Sequence, residues 1–377
     1  MEKKLAKSLS RHIGYTAAAY DLDRTVSILD YFTATPSAYL TEVVSHLHLT
    51  ANDVSGDLED KYLAEAVNIA SSLQIISVVS PRASKIHKVA PTMIGRSLLG
   101  AKASGDLRFY KYFLLKVILL ADSDTIAIIL EYLHSGTRGD IKAYYLSSFS
   151  RLRQARLRWL ERAFPERQLL DRMVSHIPWI RKDKSAIGRY DIEPITLNTA
   201  RHHVTPRRGW LDYLGLADHT SGQLTSFGKA VHSALSPSGS YFWLGPEREV
   251  QTLLRIDPAN RAAGPFEDEL KIVPSITPRK STSRMEIVRD TARLMVAAYT
   301  SAKLVHASQA PLDLPIAYIE YRSYRDGVNY EWPGIMDDLF KMYKGNFQRL
   351  SAKVGQIGYY KVVNQRLGDI RWTQDLG

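Results

Sequence analysis

One local pattern occurs twice in this 377-residue chain and limits what it can fold into. In the first copy, residues 63–73 place Leu63, Ala66, Val67, Ala70 and Leu73 at helical spacing, and the β-prone run Ile75, Ile76, Ser77, Val78, Val79 follows. A basic, turn-like stretch with Pro81, Arg82 and Lys85 leads to a second β-prone run over 86–89, and then to Thr92, Gly95 and Arg96 opening another helix. In the second copy, residues 205–217 include Trp210, Leu211, Leu214 and Leu216. A turn over 218–222 follows, and Thr225, Gly228 and Lys229 open the next helix. Both copies read helix, hydrophobic pair, turn, strand, Thr-x-x-Gly-[Arg/Lys], helix, with the threonine placed to cap the helix after it.

That order resembles the winged helix, in which a helix-turn-helix is followed by a two-stranded wing. The resemblance implies a mainly α fold with small β-hairpins (α+β): tandem winged-helix domains plus a C-terminal α+β domain. Residues 1–104 form the first domain, with upstream helices over 25–32 and 37–47. Residues 105–240 hold a helical linker and the second winged helix, with helices expected over 106–121, 123–134 and 140–164. Pro and Gly cluster over 236–246 and mark a boundary before the last domain, 241–377. There the pattern predicts a helix over 285–306, a strand over 316–324 and a helix over 335–354. A hairpin is expected between 359–364 and 369–373, an order compatible with a third winged helix that lacks the Thr-x-x-Gly step.

Charge points to the partner. The chain carries a formal +11, and residues 151–208 alone hold fourteen Lys or Arg against six Asp or Glu. A concentrated basic excess suits a polyanion such as double-stranded DNA. The chain has no cysteine, which excludes disulfides, thiolate metal sites and cysteine nucleophiles and suits a cytoplasmic protein. No run of about 18 apolar residues is present, so no membrane span is expected, and the first residues lack a secretion pattern. Phosphate-binding loops, nucleophile elbows and His-Glu-x-x-His are absent from the sequence, and no cofactor or metal is expected.

The residues expected at DNA follow from this frame. In the first copy Asn68 and Ser71 face away from the apolar stripe, and Arg82, Lys85, His87 and Lys88 suit the wing. Along the long helix after Asp140 run Arg151, Arg153, Arg156, Arg158 and Arg162; 151, 158 and 162 share one face, 153 and 156 another. In the second copy the recognition helix is expected over 207–214, with Arg207 and Arg208 at its start, Asn198, Arg201, His202 and His203 just before it, and Trp210, Leu211 and Leu214 in the core. Arg279, Lys280 and Arg284 form a phosphate-contacting stretch near the start of the last domain.

The order of these parts over residues 10–235, from Ile13-Gly14-Tyr15 to the string Gly209 to Leu216, resembles the DNA-recognition region of type IIS restriction endonucleases of the FokI kind. The resemblance implies reading of a short asymmetric duplex sequence. It stops at the nuclease: the nearest candidate, Asp313 followed by Glu320-Tyr321-Arg322, has Arg where a metal nuclease carries Lys. The chain is therefore expected to be a recognition subunit of a prokaryotic DNA-processing or restriction-like defence system, with a protein partner carrying the catalysis. A transcription regulator or plasmid replication initiator, and a winged-helix scaffold binding protein, remain open beside it.

Overall fold

The structure is a computed structural model, and it describes residues 12–14, 22–33, 35, 37–50, 57–79, 87–137, 139–182, 190–218, 220–235, 283–301, 309–326, 328, 330–350 and 358–364. In chain order the elements are α1 (Leu22–Tyr31), β1 (Ala38–Tyr39), α2 (Leu40–Thr50), α3 (Asp57–Ser72), β2 (Ile76–Val79), β3 (Lys88–Pro91) and α4 (Met93–Ala103). Then come α5 (Leu107–Ser135), α6 (Ile141–Ala163), α7 (Arg167–Val174), β4 (Ile180–Lys182), β5 (Tyr190–Ile192), α8 (Leu197–Tyr213), β6 (Ala217–Asp218), β7 (Gln223–Leu224) and α9 (Ser226–Leu235). The last are α10 (Arg284–Ser301), β8 (Ala310–Pro311), α11 (Asp313–Asp326), α12 (Trp332–Met342), β9 (Phe347–Leu350) and β10 (Tyr359–Val362). The fold is mainly helical with small antiparallel sheets, and among the described residues no helix is long and apolar enough to cross a membrane.

By contacts the chain divides into two compact units: residues 1–21 with 119–270, and residues 22–118 with 271–377. The second unit contains one arrangement twice. Elements α1-β1-α2-α3-β2-β3 form a sheet of order β1-β3-β2, and α10-β8-α11-α12-β9-β10 form a sheet of order β8-β10-β9. The registers agree as well. Ala38 and Tyr39 pair with Val89 and Lys88, as Ala310 and Pro311 pair with Tyr360 and Tyr359. Val79 opposite Lys88 and Leu350 opposite Tyr359 each close an eight-residue connection. Each first strand is followed by the same anchor: the Leu40 N–H donates to His87 O at 2.9 Å, and the Leu312 N–H to Gly358 O at 3.0 Å.

This duplication corrects three expectations for the last third. The strand over 316–324 is part of helix α11; Pro315 fits the first helical turn, and Leu314, Ala317, Tyr318 and Tyr321 are buried at helical spacing. The helix over 335–354 stops at Met342, and Phe347–Leu350 becomes strand β9. Strand β10 pairs with β9 and β8, whereas 369–373 lies outside the described residues.

The Thr-x-x-Gly steps are built alike in the two units. Thr92 caps α4 by accepting from the Gly95 N–H at 3.1 Å, and Thr225 accepts from the Gly228 N–H at 3.0 Å. The preceding helix ends through a left-handed residue, Gln74 at φ 59° or Gly215 at φ 74°. The threonine N–H then donates to the carbonyl of the next residue, Ile75 or Leu216, at 3.0 Å in both. A Cβ on Gly95 would stand 2.0 Å from Ile75 O, and one on Gly228 would stand 1.9 Å from Leu216 O. The glycine is therefore required by close approach of the helix to that carbonyl, and the motif marks a geometric joint.

Within the second unit α10 packs on α4, where a Cβ on Gly100 would come 2.5 Å from the Ala298 Cβ. In the first unit α6 packs on α8, and Leu160, Leu170, Met173, Val174, Ile177 and Trp179 form a core under the β4–β5 hairpin. Asp140 caps α6 by accepting from the Lys142 N–H at 3.0 Å, and Thr196 caps α8 by accepting from the Thr199 N–H at 3.1 Å. The two helices expected over 106–121 and 123–134 are the two arms of α5, which meet at a kink where Asp122 has non-helical dihedrals of −138° and 26°.

Candidate nucleic-acid interface

Helix α8 runs ten residues further toward the N-terminus than the expected recognition helix, because Thr196 rather than a residue near Pro206 is the cap. That extension decides which side chains face out. Ala200, His203, Val204, Arg207, Trp210, Leu211 and Leu214 line the buried side. Asn198, Arg201, Arg208 and Asp212 are exposed on the opposite side, with half-buried Thr205 between them. Trp210, Leu211 and Leu214 thus sit in the core as read from the sequence. Among the described residues, none of Asn198, Arg201, Arg208 and Asp212 makes a side-chain hydrogen bond or ion pair. Arg201 and Arg208 stand seven residues apart on this row, about 10 Å along the helix. A hollow of about 270 Å³ opens beside it, lined by Leu133, Thr205, Arg208, Gly209, Asp212 and Asp218.

Arg207 is a correction. Its guanidinium has no solvent exposure: Nε donates to Asp122 Oδ2 at 2.7 Å, Nη2 donates to Ile13 O at 2.6 Å, and the group lies 5.0 Å from the Trp210 ring centroid. It lies mid-helix on the apolar stripe and cannot present its charge to a duplex. Arg156 is a second correction. It is 2% exposed and forms a double hydrogen bond with Asp124, at 2.6 and 2.9 Å. His203 is a third. It is buried, with Nδ1 3.2 Å from the Tyr145 hydroxyl, and burial followed by Arg207, Arg153 and His202 lowers its pKa to about 3, so it is neutral. Arg153 is half-buried over the Phe149 and Trp179 rings, at 4.4 and 5.4 Å.

These groups belong to a buried polar knot that the sequence reading missed. Asp122, Ser123, Asp124 and Thr125 all lie at the break in α5 with at most 1% exposure. Burial pushes the Asp122 carboxyl up, opposed by Arg207 and by the Ile13 N–H that donates to it. The signal was present: four polar residues inside a 29-residue apolar helix require buried partners.

The remaining expected residues fall in both units. In the first unit Arg151, Arg158 and Arg162 are exposed on one side of α6, as their spacing implied, with Arg151 donating to Ser148 Oγ at 3.3 Å. His202 is half-buried. Arg181 pairs with Glu193, and Lys182 pairs with Asp171 at 3.3 Å. In the second unit Asn68 is exposed, Ser71 half-buried, and His87 exposed. Lys88 is exposed 5.6 Å over the Tyr39 ring. Arg284 pairs with Asp338 at 2.7 Å. Arg82, Lys85, Arg279 and Lys280 lie outside the described residues. The acids of the weak nuclease pattern, Asp313 and Glu320, sit on helix α11, where Glu320 pairs with Lys116.

Positive charge is spread unevenly along the chain. Residues 141–235 carry sixteen Lys or Arg against eight Asp or Glu, whereas residues 22–104 carry seven against eight. Comparison of the chain with known protein families, with curated proteins and with solved structures finds no match in any of the three.

Proposed function

We propose that the chain is a double-stranded DNA-binding protein whose first unit grips the duplex through α8 and α6. The observation that carries this reading is the outward row Asn198, Arg201, Thr205, Arg208 and Asp212 in the most basic part of the chain. These residue types match base edges in the major groove: Arg donates twice to guanine, Asn pairs with adenine, and Asp accepts from the cytosine amine. Arg151, Arg158 and Arg162 on α6 suit phosphate contacts, which position the protein without specifying sequence.

The duplicated arrangement in the second unit supports a winged-helix assignment for residues 22–91 and 284–362, because helix-strand-helix-helix-strand-strand with the third strand central is the order of that fold. In a winged helix the third helix is the one that enters the groove. Here α3 carries Asp57, Glu59, Asp60 and Glu65 against Lys61, and α12 carries Asp337 and Asp338 against Lys341. That charge favours a protein partner over DNA for these two modules. The combination fits a recognition subunit of a DNA-processing or defence system that docks a catalytic partner.

Selection of bound duplexes from a random pool at physiological salt tests the reading. A single enriched asymmetric site is the expected outcome, with affinity falling steeply between about 50 and 200 mM salt. Absence of both enrichment and salt dependence refutes it.

A further inference from the structure

His12, Ile13 and Gly14 lie in the first unit beside the break in α5, far in sequence from every residue that holds them. Both main-chain groups of Ile13 are taken by charged side chains that have no solvent exposure. Its N–H donates to Asp122 Oδ1 at 2.9 Å, and its carbonyl accepts from Arg207 Nη2 at 2.6 Å. The Ile13 side chain is itself buried. His12 Nδ1 lies 2.8 Å from Thr125 Oγ1, and its ring packs 4.8 Å from Phe149 and edge-on to His203 at 4.2 Å.

Every receiving group comes from α5, α6 or α8. A carboxylate for the N–H, a guanidinium for the carbonyl, a socket for an apolar side chain and a polar seat for the residue before it are the chemistry that holds a peptide main chain. Asp122 and Arg207 also bond to each other at 2.7 Å, so neither is left as an uncompensated buried charge when the segment departs.

We infer that the seat formed at the break of α5 is a peptide-acceptor site, occupied in cis by His12–Gly14, which that segment can leave and which the same peptide supplied in trans can fill.

The site is sensitive to pH through His12. The groups around it are Asp122 and Thr125 from α5, Tyr145, Phe149 and Arg153 from α6, and His203 and Arg207 from α8. Burial first, then His203, Arg207 and Arg153, hold the docked imidazole well below the ordinary histidine range. A released His12 titrates near 6.5. The docked form is therefore fully favoured above about pH 6.5 and is lost as pH falls toward the lowered value.

The test uses the full chain carrying Ile13→Pro, which removes the N–H that Asp122 accepts and keeps an apolar side chain, with a fluorescent synthetic peptide of residues 8–18 as probe. Anisotropy should show the variant binding the peptide at least about tenfold more tightly than the wild-type chain, whose own segment competes at high effective concentration. Binding should weaken between about pH 7.5 and 5.5 and vanish when the peptide itself carries Ile13→Pro. A folded variant that shows no saturable binding overturns the inference, and so does affinity that ignores pH. Should the variant fail to fold, native-state hydrogen exchange on the wild-type chain decides. The Ile13 amide must exchange at least about tenfold faster than the slowest amides of α6 and α8, through a local opening. Exchange in the same slowest class means that the segment leaves only on global unfolding, and the inference fails.

Discussion

The two units solve the same problem, holding helices from distant parts of the chain together, by different physics. The first places four charges in its interior: Asp122 with Arg207 and Asp124 with Arg156 join α5 to α8 and to α6, each group at most 2% exposed. The second joins its two modules through shape, with Gly100 on α4 admitting Ala298 of α10, and keeps its buried charge cluster, Arg322 with Asp290 and Asp326, inside one module, where it joins α11 to α10. Surface pairs contribute little, whereas a buried pair is costly to break because the surviving charge has no water. The lesson is that the arginines of the first unit have two separate uses. Some of its arginines hold the interior, and others face solvent.

The largest test of that contrast is Asp122→Ala, which strands Arg207. Denaturant unfolding followed at Trp179 and Trp210 should show a loss of about 3–5 kcal/mol in the first unit. A loss near zero would mean that the knot is a bystander.

Acid should separate the units next. The His203 pKa is lowered to about 3 by burial and by Arg207, Arg153 and His202, so the unfolded state binds the proton first. Stability from this group is complete above about pH 6.5 and declines as pH falls toward 3, by about 1.4 kcal/mol per pH unit. His12 acts in the same direction. Asp122, whose pKa is raised, acts in the opposite direction: protonation favours the folded state between the ordinary carboxyl value and the raised one. Unfolding midpoints of the first unit that do not move between about pH 7 and 5 would contradict the neutral buried histidines.

Gly95→Ala and Gly228→Ala probe the joint that the units share. Each places a methyl against a carbonyl oxygen, so each should cost about 1–3 kcal/mol, in the second and first unit respectively. Unequal losses would show that one joint can relax.

The smallest effects concern binding. Arg208→Ala should cost about 1–3 kcal/mol of discrimination at one base position. Arg162→Ala should leave sequence preference alone and reduce the salt slope by about 0.9. Lys341→Ala on the acidic α12 should do neither, and a full loss there would move the duplex to the second unit.

Much of the fold was legible, and the reasons can be named. The Thr-x-x-Gly steps announced both joints because cap and close approach are local requirements. The face of α6 bearing Arg151, Arg158 and Arg162 followed from helical spacing alone. The duplication in the last third was obscured because Ile316, Ile319 and the tyrosines of α11 have high strand preference, and tertiary packing overrides such preference. The site is less legible because the first half of α8, residues 197–205, is mostly polar and Pro206 inside the helix imitates a helix start. With its cap at Thr196, periodicity already puts Arg207 in line with Ala200, His203, Val204, Trp210 and Leu214, on the buried side.

By itself the sequence determined the local grammar: where helices are capped, where glycine alone fits, and that the middle of the chain carries the positive charge. Only the tertiary structure decided which charges are internal. A guanidinium is indifferent to its setting until a carboxylate approaches from another element. Asp122 reaches Arg207 across 85 residues only because α5 breaks where it does. Local propensity is written in neighbouring residues, whereas the pairing of buried charges depends on which helices meet, and that is settled when the chain packs.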